Sequence, residues 1–502
     1  MAFNAVFAWF IGKRMNRVNF YRDNPIAAQR SVKEYLYYQL QQTHFYREQL
    51  HLLGKEEIQL NEIPLQDFGS LKPYIERAIQ GEENVLWPGE TKWFAQSSGT
   101  TADRKKLIPV TLQSLEENHY ANGKDLLAQY YANLPNRKLF NAKHLIVGGS
   151  GEIRKESNGV FIGDLSAIII DHLPWWTEMR RTPAKEIALQ GNWEIKLDQM
   201  AKAVVHENVC IIAGMPSWTS LLLRRILEIS NKNSIDEVWP NLELYIHGGM
   251  NFGPYRSTFD ELLGKKINYV ESYNSSEGYF GMQDQLNAHE LLLMTHSEVY
   301  FEFIPMDEFD GVDSKHVIEL ENVKTETEYA LVISTSAGLW RYIIGDTLRF
   351  TQTHPYRFIV TGRTTQFLNS FGEKVLIQHV ENTIEKVNRA MRFRVTDFTI
   401  APYFNKNEAV GGHEWFIEFD QAPDDLNAFE KAIDDQLKVE NADYEAKRFL
   451  DLNIGKPKFH YLAKGSFHQW LANRQKLGGQ HKIPRLMNDR KLVEQLLSET
   501  PR

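Results

Sequence analysis

The sequence predicts an α/β protein with a large N-terminal domain and a smaller α+β C-terminal domain. At 502 residues the chain exceeds what one hydrophobic core usually serves, so we expect more than one domain. Helical patterns alternate with short β-branched runs between residues 145 and 270, which favours a layered α/β core. Closely spaced strands follow over 297–350, and helices mix with strands again beyond residue 374. We therefore place the N-terminal domain, a layered core with a β-rich subdomain, at 1–370 and the C-terminal domain at 371–502.

The elements of the layered core are predicted from the period of the apolar residues. Residues 1–60 carry apolar side chains at helical spacing, among them Val32, Leu36 and Leu40, and a stretch punctuated by Gly and Pro follows over 64–89. The core is predicted to contain strands at 145–147, 167–170, 209–213, 242–246 and 267–270, with helices at 217–229 and 256–263.

The β-rich subdomain and the C-terminal domain are predicted in the same way. Four runs alternate or stay apolar with no helical pattern between them, at 299–304, 317–320, 329–334 and 347–351. The C-terminal domain is predicted to have helices at 380–389 and 426–437, with strands at 396–402 and 415–419.

Composition excludes several classes of protein. The 57 basic and 65 acidic residues give a net charge of −8, which does not suit a nucleic-acid partner. Cys210, the only cysteine, lies in an apolar run and is predicted to be a buried, inert thiol. The sequence contains no run of about 18 apolar residues, so we predict no membrane-spanning helix. At the N-terminus the apolar residues come before the positive charges, whereas in a secretory signal the positive charges come first. We therefore expect a cytoplasmic location.

A hydroxyl-rich loop around one glycine is the first segment with recognisable chemistry. Its backbone N–H groups and hydroxyls can wrap a polyphosphate, and a lysine shortly after it can neutralise charge. A polar surface turn is the alternative, because the Walker sequence is absent. The loop and its lysine comprise Ser97, Ser98, Gly99, Thr100, Thr101 and Lys106.

A second segment, Y-N-S-S-E-G at 273–278, follows the predicted strand at 267–270. Its aromatic ring can stack on a base, its amide and hydroxyls can bond the base edge, and Glu277 can hold Mg²⁺. Further along, Asp346 follows a glycine and can accept both ribose hydroxyls, while Arg363 can brace the ribose and Lys374 can meet phosphate. Each of these segments taken singly also fits an ordinary strand-end turn.

The order of the segments is more specific than any one of them. The chain resembles adenylate-forming enzymes in the order of its motifs, which are a hydroxyl-rich Gly loop, Y-x-S-S-E-G, R-Y-x-x-G-D, and G-R with G-E-K. More narrowly, the chain resembles the Gretchen Hagen family of acyl acid amido synthetases, in its shorter bacterial form. The segments 86–88, 93–94 and 480–485 also resemble this family, so the resemblance covers nearly the whole chain.

The resemblance implies a role for each matching position. Ser97, Ser98, Gly99, Thr100, Thr101 and Lys106 match the phosphate loop. Gly248, Gly249 and Met250 match the segment beside the adenine base, and Tyr273 the tyrosine that stacks on it. Asn274, Ser275 and Ser276 complete that ATP-binding motif, and Glu277 matches its Mg²⁺-associated glutamate. Asp346 and Arg363 match the ribose contacts, and Lys374 a lysine that reaches the phosphates. Asp103 departs from the glycine that plant members usually have, which leaves the loop tip undefined.

The resemblance implies an ATP-dependent ligase with a mobile C-terminal domain. A carboxylic acid would attack the α-phosphate of MgATP to give an acyl-AMP, and an amine, an amino acid in this family, would then take the acyl group. Lys106, Lys374 and Lys482 are the candidate catalytic lysines, although Lys482 also fits a solvated surface charge. The hinge is expected at about 363–374, and the protein as a monomer or weak homo-oligomer. An acyl-CoA ligase and a nucleotide-binding regulatory protein without turnover are the alternatives.

Overall fold

The structure is a computed structural model that describes residues 9–97, 106–135, 137, 139–148, 153–249, 252–364, 367–368, 375–404, 411–441, 444–445, 448, 454–474, 483–487 and 490–499. The chain divides into two compact units. The larger comprises Met1–Phe252, Ser257–Ile344 and Leu348–Val360, and the smaller comprises Gly253–Arg256, Gly345–Thr347 and Thr361–Arg502. The domain boundary at residue 370 and the hinge at 363–374 stay predictions, and residues 369–374 lie outside the described part of the chain.

Helices open the larger unit, as the spacing of apolar residues over 1–60 predicts. They span Met15–Asp23, Pro25–Leu40, His44–Leu53 and Phe68–Ile79. The third begins where the Thr43 hydroxyl accepts the Tyr46 N–H, and it ends at Gly54, whose positive φ suits a glycine cap. The fourth lies inside the stretch read as Gly- and Pro-punctuated, where Asp67 caps it by accepting the Ser70 N–H.

Twelve of the described strands form the main sheet, in the order β13-β12-β14-β15-β16-β11-β10-β9-β8-β7-β3-β6. Strands β3, β7, β8 and β9 pair in parallel, and β9 then pairs antiparallel with β10. The strands are β3 Lys143–Val147, β6 Arg181–Thr182, β7 Val209–Gly214, β8 Leu244–Gly248, β9 Asn268–Ser275, β10 Gly278–Met282, β11 Leu291–Leu293, β12 Val299–Pro305, β13 Ile318–Glu319, β14 Glu328–Thr335, β15 Tyr342–Thr353 and β16 Tyr356–Arg363.

Helices connect the parallel strands, which confirms the predicted α/β fold class. The predicted helices at 217–229 and 256–263 are present as Pro216–Ser230 and Arg256–Leu263. Other helices of this region are Leu112–Ser114, a π-helical turn Leu115–Tyr120, Ala121–Asn133, Leu165–Asp171, Trp175–Glu178, Lys185–Ala188, Trp193–Val204 and Ile235–Val238. Cys210 is buried in β7, and burial raises the pKa of its thiol to about 12, as expected of an inert cysteine.

The predicted strand at 167–170 is wrong, because Leu165–Asp171 is a helix. Asp164 caps this helix by accepting the Ser166 N–H at 2.8 Å. An apolar run of four residues fits a buried helix as well as a buried strand, and the cap decides between them. The predicted strand at 317–320 is also shorter than expected, since β13 gives way to a 3₁₀ turn at Leu320–Asn322.

A second, four-stranded sheet has the order β2-β1-β5-β4. Its strands are β1 Trp93–Ser97, β2 Lys106–Val110, β4 Arg154–Lys155 and β5 Phe161–Gly163. Strands β1 and β2 are antiparallel, and their register places Ser97 opposite Lys106. The two ends of the hydroxyl-rich loop are therefore held side by side.

The smaller unit has the α+β character predicted for the C-terminal domain. Strands β19 Arg394–Phe404 and β20 Gly411–Gln421 are antiparallel, and β21 Lys458–Leu462 adds in parallel. A short pair, β17 Phe367–Leu368 and β18 Val375–Leu376, accompanies them. The helices span Ile377–Met391, Leu426–Glu440, Ser466–Asn473 and Lys491–Glu499, and the first two pack their apolar faces on the sheet.

Candidate active site

The carboxyl ends of the parallel strands form the edge where open α/β sheets bind ligands. Glycines stand at this edge because neighbouring backbone comes too close for a side chain. A Cβ on Gly248, the last residue of β8, would lie 2.2 Å from the Ser272 carbonyl oxygen of β9. A Cβ on Gly214, which ends β7, would lie 2.8 Å from the Val147 carbonyl oxygen. Gly249 follows with a φ of 75°, a conformation that favours glycine.

The Y-N-S-S-E-G segment forms the tight connection between β9 and β10. Tyr273 packs edge-on against Phe280 and Phe358, with ring centroids 5.1 and 6.1 Å away. The Ser275 hydroxyl accepts the backbone N–H of Glu277 at 3.2 Å, which stabilises the turn formed with Ser276. Glu277 is half-buried at this turn. The structure thus brings Tyr273, Asn274, Ser275, Ser276 and Glu277 together on one hairpin.

Polar side chains from the helical segment 112–133 hold this hairpin from the interior. Asn118 accepts the Tyr279 N–H at 2.7 Å and donates to the carbonyl of Ser297 at 2.9 Å. Asn122 donates to the Tyr279 carbonyl at 3.0 Å. His119 bonds the side chain of Asn274, with 3.0 Å between Nδ1 and Oδ1. Sequence reasoning missed all three, because a polar residue on a helix is ordinarily a sign of an exposed position.

Lys106 is the described part of the predicted phosphate loop, together with the backbone of Ser97. It begins β2, is half-buried, and places its Nζ 5.7 Å from the centre of the Phe68 ring. The residues Ser98, Gly99, Thr100 and Thr101 lie outside the described residues, as do Met250, Lys374 and Lys482. Their roles stay predictions.

In the smaller unit, the two predicted ribose contacts lie beside each other. The Arg363 guanidinium Nε is 3.2 Å from Asp346 Oδ1, and the two side chains are 36% and 17% exposed. The Thr364 N–H donates to the Gly345 carbonyl at 2.8 Å, which fixes the backbone before Asp346. This partly exposed ion pair can exchange water or ligand hydroxyls without a large desolvation cost.

Other residues of the recognised segments are structural. Arg341, which opens R-Y-x-x-G-D, is buried and makes a bidentate pair with Glu302, both bonds being 2.9 Å. Arg485, which closes the segment at 480–485, is held by Glu381 at 2.8 Å and lies over the Phe398 ring at 4.7 Å. Trp87 stacks on Trp340, with 6.0 Å between ring centroids.

Among the residues that the structure describes, no three His, Cys, Asp or Glu side chains converge as a metal site. A Mg²⁺ that brings most of its ligands with it, from phosphate oxygens and water, needs no such cluster. Glu277 as a lone protein carboxylate is compatible with that kind of ion. None of the described helices is both long and apolar enough to cross a bilayer.

Three successive domains of one family match the chain. The GH3 family N-terminal domain matches residues 14–267, which is half of the chain. The GH3 family central domain matches 292–363, and the GH3 family C-terminal domain matches 374–491. The chain belongs to the GH3 family. The family resemblance drawn from the order of the motifs is therefore confirmed.

Two curated relatives, an amido synthetase and a benzoate–glutamate ligase, align with most of this chain. The indole-3-acetic acid-amido synthetase GH3.3 of Arabidopsis thaliana is 21% identical, over 86% of this chain and 84% of its own length. The 4-substituted benzoates-glutamate ligase GH3.12 of Arabidopsis thaliana is 22% identical, over 88% of this chain and 89% of its own length. The GH3 family to which the chain belongs thus contains acid–amine ligases.

Among solved structures, a GH3 acyl acid amido synthetase has the same fold. AtGH3.15, solved in complex with 2,4-DB, superposes with a TM-score of 0.79, covering 97% of this chain and 96% of its own. Its sequence identity of 18% makes this a statement about fold alone. The predicted architecture, a large N-terminal part with a smaller C-terminal part, agrees with it.

Proposed function

We propose that this GH3 protein joins a carboxylic acid to the amino group of an amino acid through an acyl-AMP. The observation that carries the proposal is the match of three consecutive GH3 domains, together with a Y-N-S-S-E-G hairpin at the carboxyl edge of the sheet that Asn118 and Asn122 hold by hydrogen bonds. We also propose the cytoplasm as its location, where ATP is abundant.

In the first step, the substrate carboxylate attacks the α-phosphate of ATP and pyrophosphate leaves. A carboxylate is already ionised at neutral pH, so this step requires no general base. It does require positive charge and N–H donors, because two anions must approach each other. Lys106 and Lys374 are proposed to provide the charge, and Ser97, Ser98, Gly99, Thr100 and Thr101 the phosphate loop.

Each group of residues described above is proposed to contact one part of the nucleoside. Tyr273 would stack on the base beside Gly248, Gly249 and Met250, and Asp346 with Arg363 would hold the ribose. Glu277 is the proposed protein ligand of the Mg²⁺ that enters with ATP, an ion that neutralises phosphate charge when bound. Ser275 supports Glu277 through the bond to its N–H.

In the second step, the amine attacks the acyl carbon and AMP leaves. The amine must be neutral and the surroundings dry, because water would hydrolyse the acyl-AMP. We propose that movement of the C-terminal domain about 363–374 opens the route for the amine, and that Lys482 is brought to the phosphates in one of the two positions.

A screen of acids for pyrophosphate release tests this proposal. Purified protein, MgATP and one acid at a time, including indole-3-acetate and 4-hydroxybenzoate, should release pyrophosphate in an acid-dependent manner. Adding amino acids to an active acid should give an amide and AMP. A product formed with coenzyme A and not with any amino acid would instead identify an acyl-CoA ligase. Absence of acid-dependent pyrophosphate across the screen would contradict the adenylation step itself.

A further inference from the structure

The helical segment that faces the hairpin contains an unusual turn. Residues Leu115–Tyr120 form a π-helix between the α-helical residues Leu112–Ser114 and Ala121–Asn133. Such a turn contains one residue more than an α-helical turn, rotates the side chains that follow, and occurs frequently at functional sites. Here it allows two adjacent residues, Asn118 and His119, to face the same hairpin.

The buried polar residues of this segment do two different things. Asn118 and Asn122 both donate to the carbonyl of Tyr279, and they also donate to the carbonyl and to the hydroxyl of Ser297, respectively, which satisfies buried polar groups. His119 instead bonds a side chain of the Y-N-S-S-E-G segment itself, that of Asn274. The first two residues therefore support the fold of the hairpin, whereas His119 acts on the orientation of one side chain in the site.

The protonation of His119 follows from its surroundings. The ring is buried, and desolvation lowers its pKa to about 4, so it is neutral near pH 7. Since Asn274 Oδ1 only accepts hydrogen bonds, the hydrogen of the neutral ring lies on Nδ1. Asn274 itself is half-buried, and its Nδ2 has no hydrogen bond to any residue that the structure describes. With the oxygen occupied, the amide directs its NH₂ away from His119.

We propose that His119 is a positioning residue that fixes the Asn274 carboxamide so that its NH₂ donates to the bound substrate. This inference rests on the function proposed above. The acceptor is a ring nitrogen of adenine or a carboxylate oxygen of the acid, since both are available in the adenylation step. A ring with so low a pKa is a poor base, so His119 does not deprotonate the amine. Without His119 the Asn274 carboxamide can flip, so that its oxygen instead of its NH₂ faces the acceptor atom of the substrate. Two acceptor atoms facing each other repel.

Three variants separate orientation from structure. His119→Leu removes the donor, whereas His119→Asn restores an amide N–H at the position of Nδ1. Asn274→Ala removes the group that His119 orients. We expect His119→Leu to weaken binding of either ATP or the acid about ten-fold, the effect of one misdirected hydrogen bond. His119→Asn should recover most of this loss, and His119→Leu should add nothing in the Asn274→Ala background.

The readouts identify which acceptor is involved. Equilibrium titrations with ATP alone and with 4-hydroxybenzoate alone, followed by KM values for each in ATP–pyrophosphate exchange, separate the nucleotide from the acid. The shape of the pH profile of kcat/KM between pH 6 and 8 should be the same in wild type and His119→Leu. A titration near pH 6.5 that is lost in His119→Leu would identify a base and overturn the positioning role.

Asn122→Ala is the matched control, because it removes one hydrogen bond to the same hairpin and one to Ser297, and neither involves Asn274. It should lower the melting temperature and leave both affinities unchanged. Unchanged affinities in His119→Leu, or additive losses with Asn274→Ala, would overturn the proposal even if pyrophosphate exchange proves the adenylation activity. If no acid supports exchange, the function proposed above fails, whereas the direct titrations still decide the role of His119.

Discussion

Arg341 offers a sharp test of which motif residues support the fold. Its guanidinium pairs with the buried Glu302 through two bonds of 2.9 Å, and its other nitrogen donates to the carbonyls of Asn61 and Ile63 at 2.8 and 2.6 Å. Arg341→Leu would leave the buried Glu302 carboxylate and the buried Ile63 carbonyl without this donor. We therefore expect this substitution to act on stability and not on substrate binding.

The cost follows from the burial of the pair, whose side chains are 8% and 4% exposed. Removing one member of a buried ion pair costs about 3–5 kcal/mol, because the remaining charge stays desolvated. For a unit of this size that loss lowers the melting temperature by about 4–7 °C. Burial already raises the pKa of Glu302, and Arg341 opposes that rise, so removing the arginine favours a protonated Glu302.

Thermal and urea unfolding of four proteins test this reasoning: wild type, Arg341→Leu, Glu302→Leu and the double variant. The double variant should be more stable than Arg341→Leu, because replacing both charges removes the uncompensated carboxylate. The KM for ATP of the folded Arg341→Leu protein should equal that of wild type. A melting temperature of Arg341→Leu within 2 °C of wild type, or losses that simply add in the double variant, would refute the argument.

Three further predictions concern the site and its stability. Asp346→Asn should keep its melting temperature yet lower kcat/KM for adenylation about ten-fold to a hundred-fold through weaker charge-assisted bonds to ribose; unchanged kinetics would contradict the ribose assignment. Gly248→Ala should give mainly insoluble protein, because its Cβ would lie 2.2 Å from the Ser272 carbonyl oxygen; a soluble, active variant would contradict this close approach. Burial lowers the pKa of both His119 and His296 from 6.5 to about 4, so between these values the unfolded chain binds protons that the folded chain does not. The free energy of unfolding should therefore fall as the pH falls from about 6.5 to about 4, by up to about 3 kcal/mol per histidine. Equal urea midpoints at pH 7.5 and pH 5 would contradict this prediction.

Much of the fold was accessible from the sequence because periodicity reports burial directly. The helices at 217–229 and 256–263 and the strands at 299–304 and 329–334 were predicted within a few residues. The run at 167–170 failed because four consecutive apolar residues have no period to read. Its helical state depends on Asp164, whose carboxylate accepts the Ser166 N–H, a capping signal that lay just before the run.

The site was accessible only in part, because sequence motifs mark segments and not contacts. The Y-N-S-S-E-G segment identified the hairpin, but nothing in it indicated that His119, 155 residues earlier, would bond Asn274. The π-helical turn that places His119 there has no recognised sequence signature. The pairing of Asp346 with Arg363 was likewise not predicted, although both residues were selected for the same ligand.

The R-Y-x-x-G-D segment contains two charged residues, Arg341 and Asp346, whose ion pairs differ in burial. Opening the Arg341–Glu302 pair would leave a buried carboxylate with neither its partner nor water. This pair therefore cannot exchange partners during a catalytic cycle. Opening the Asp346–Arg363 pair costs at most about 1 kcal/mol, since water already reaches the arginine, which is 36% exposed. The two charge-assisted bonds proposed from ribose hydroxyls, about 1.5–3 kcal/mol each, would exceed that cost. A substrate can therefore compete for Asp346 and not for Glu302, so the solvent exposure of the two ion pairs separates the proposed binding residue from the structural one.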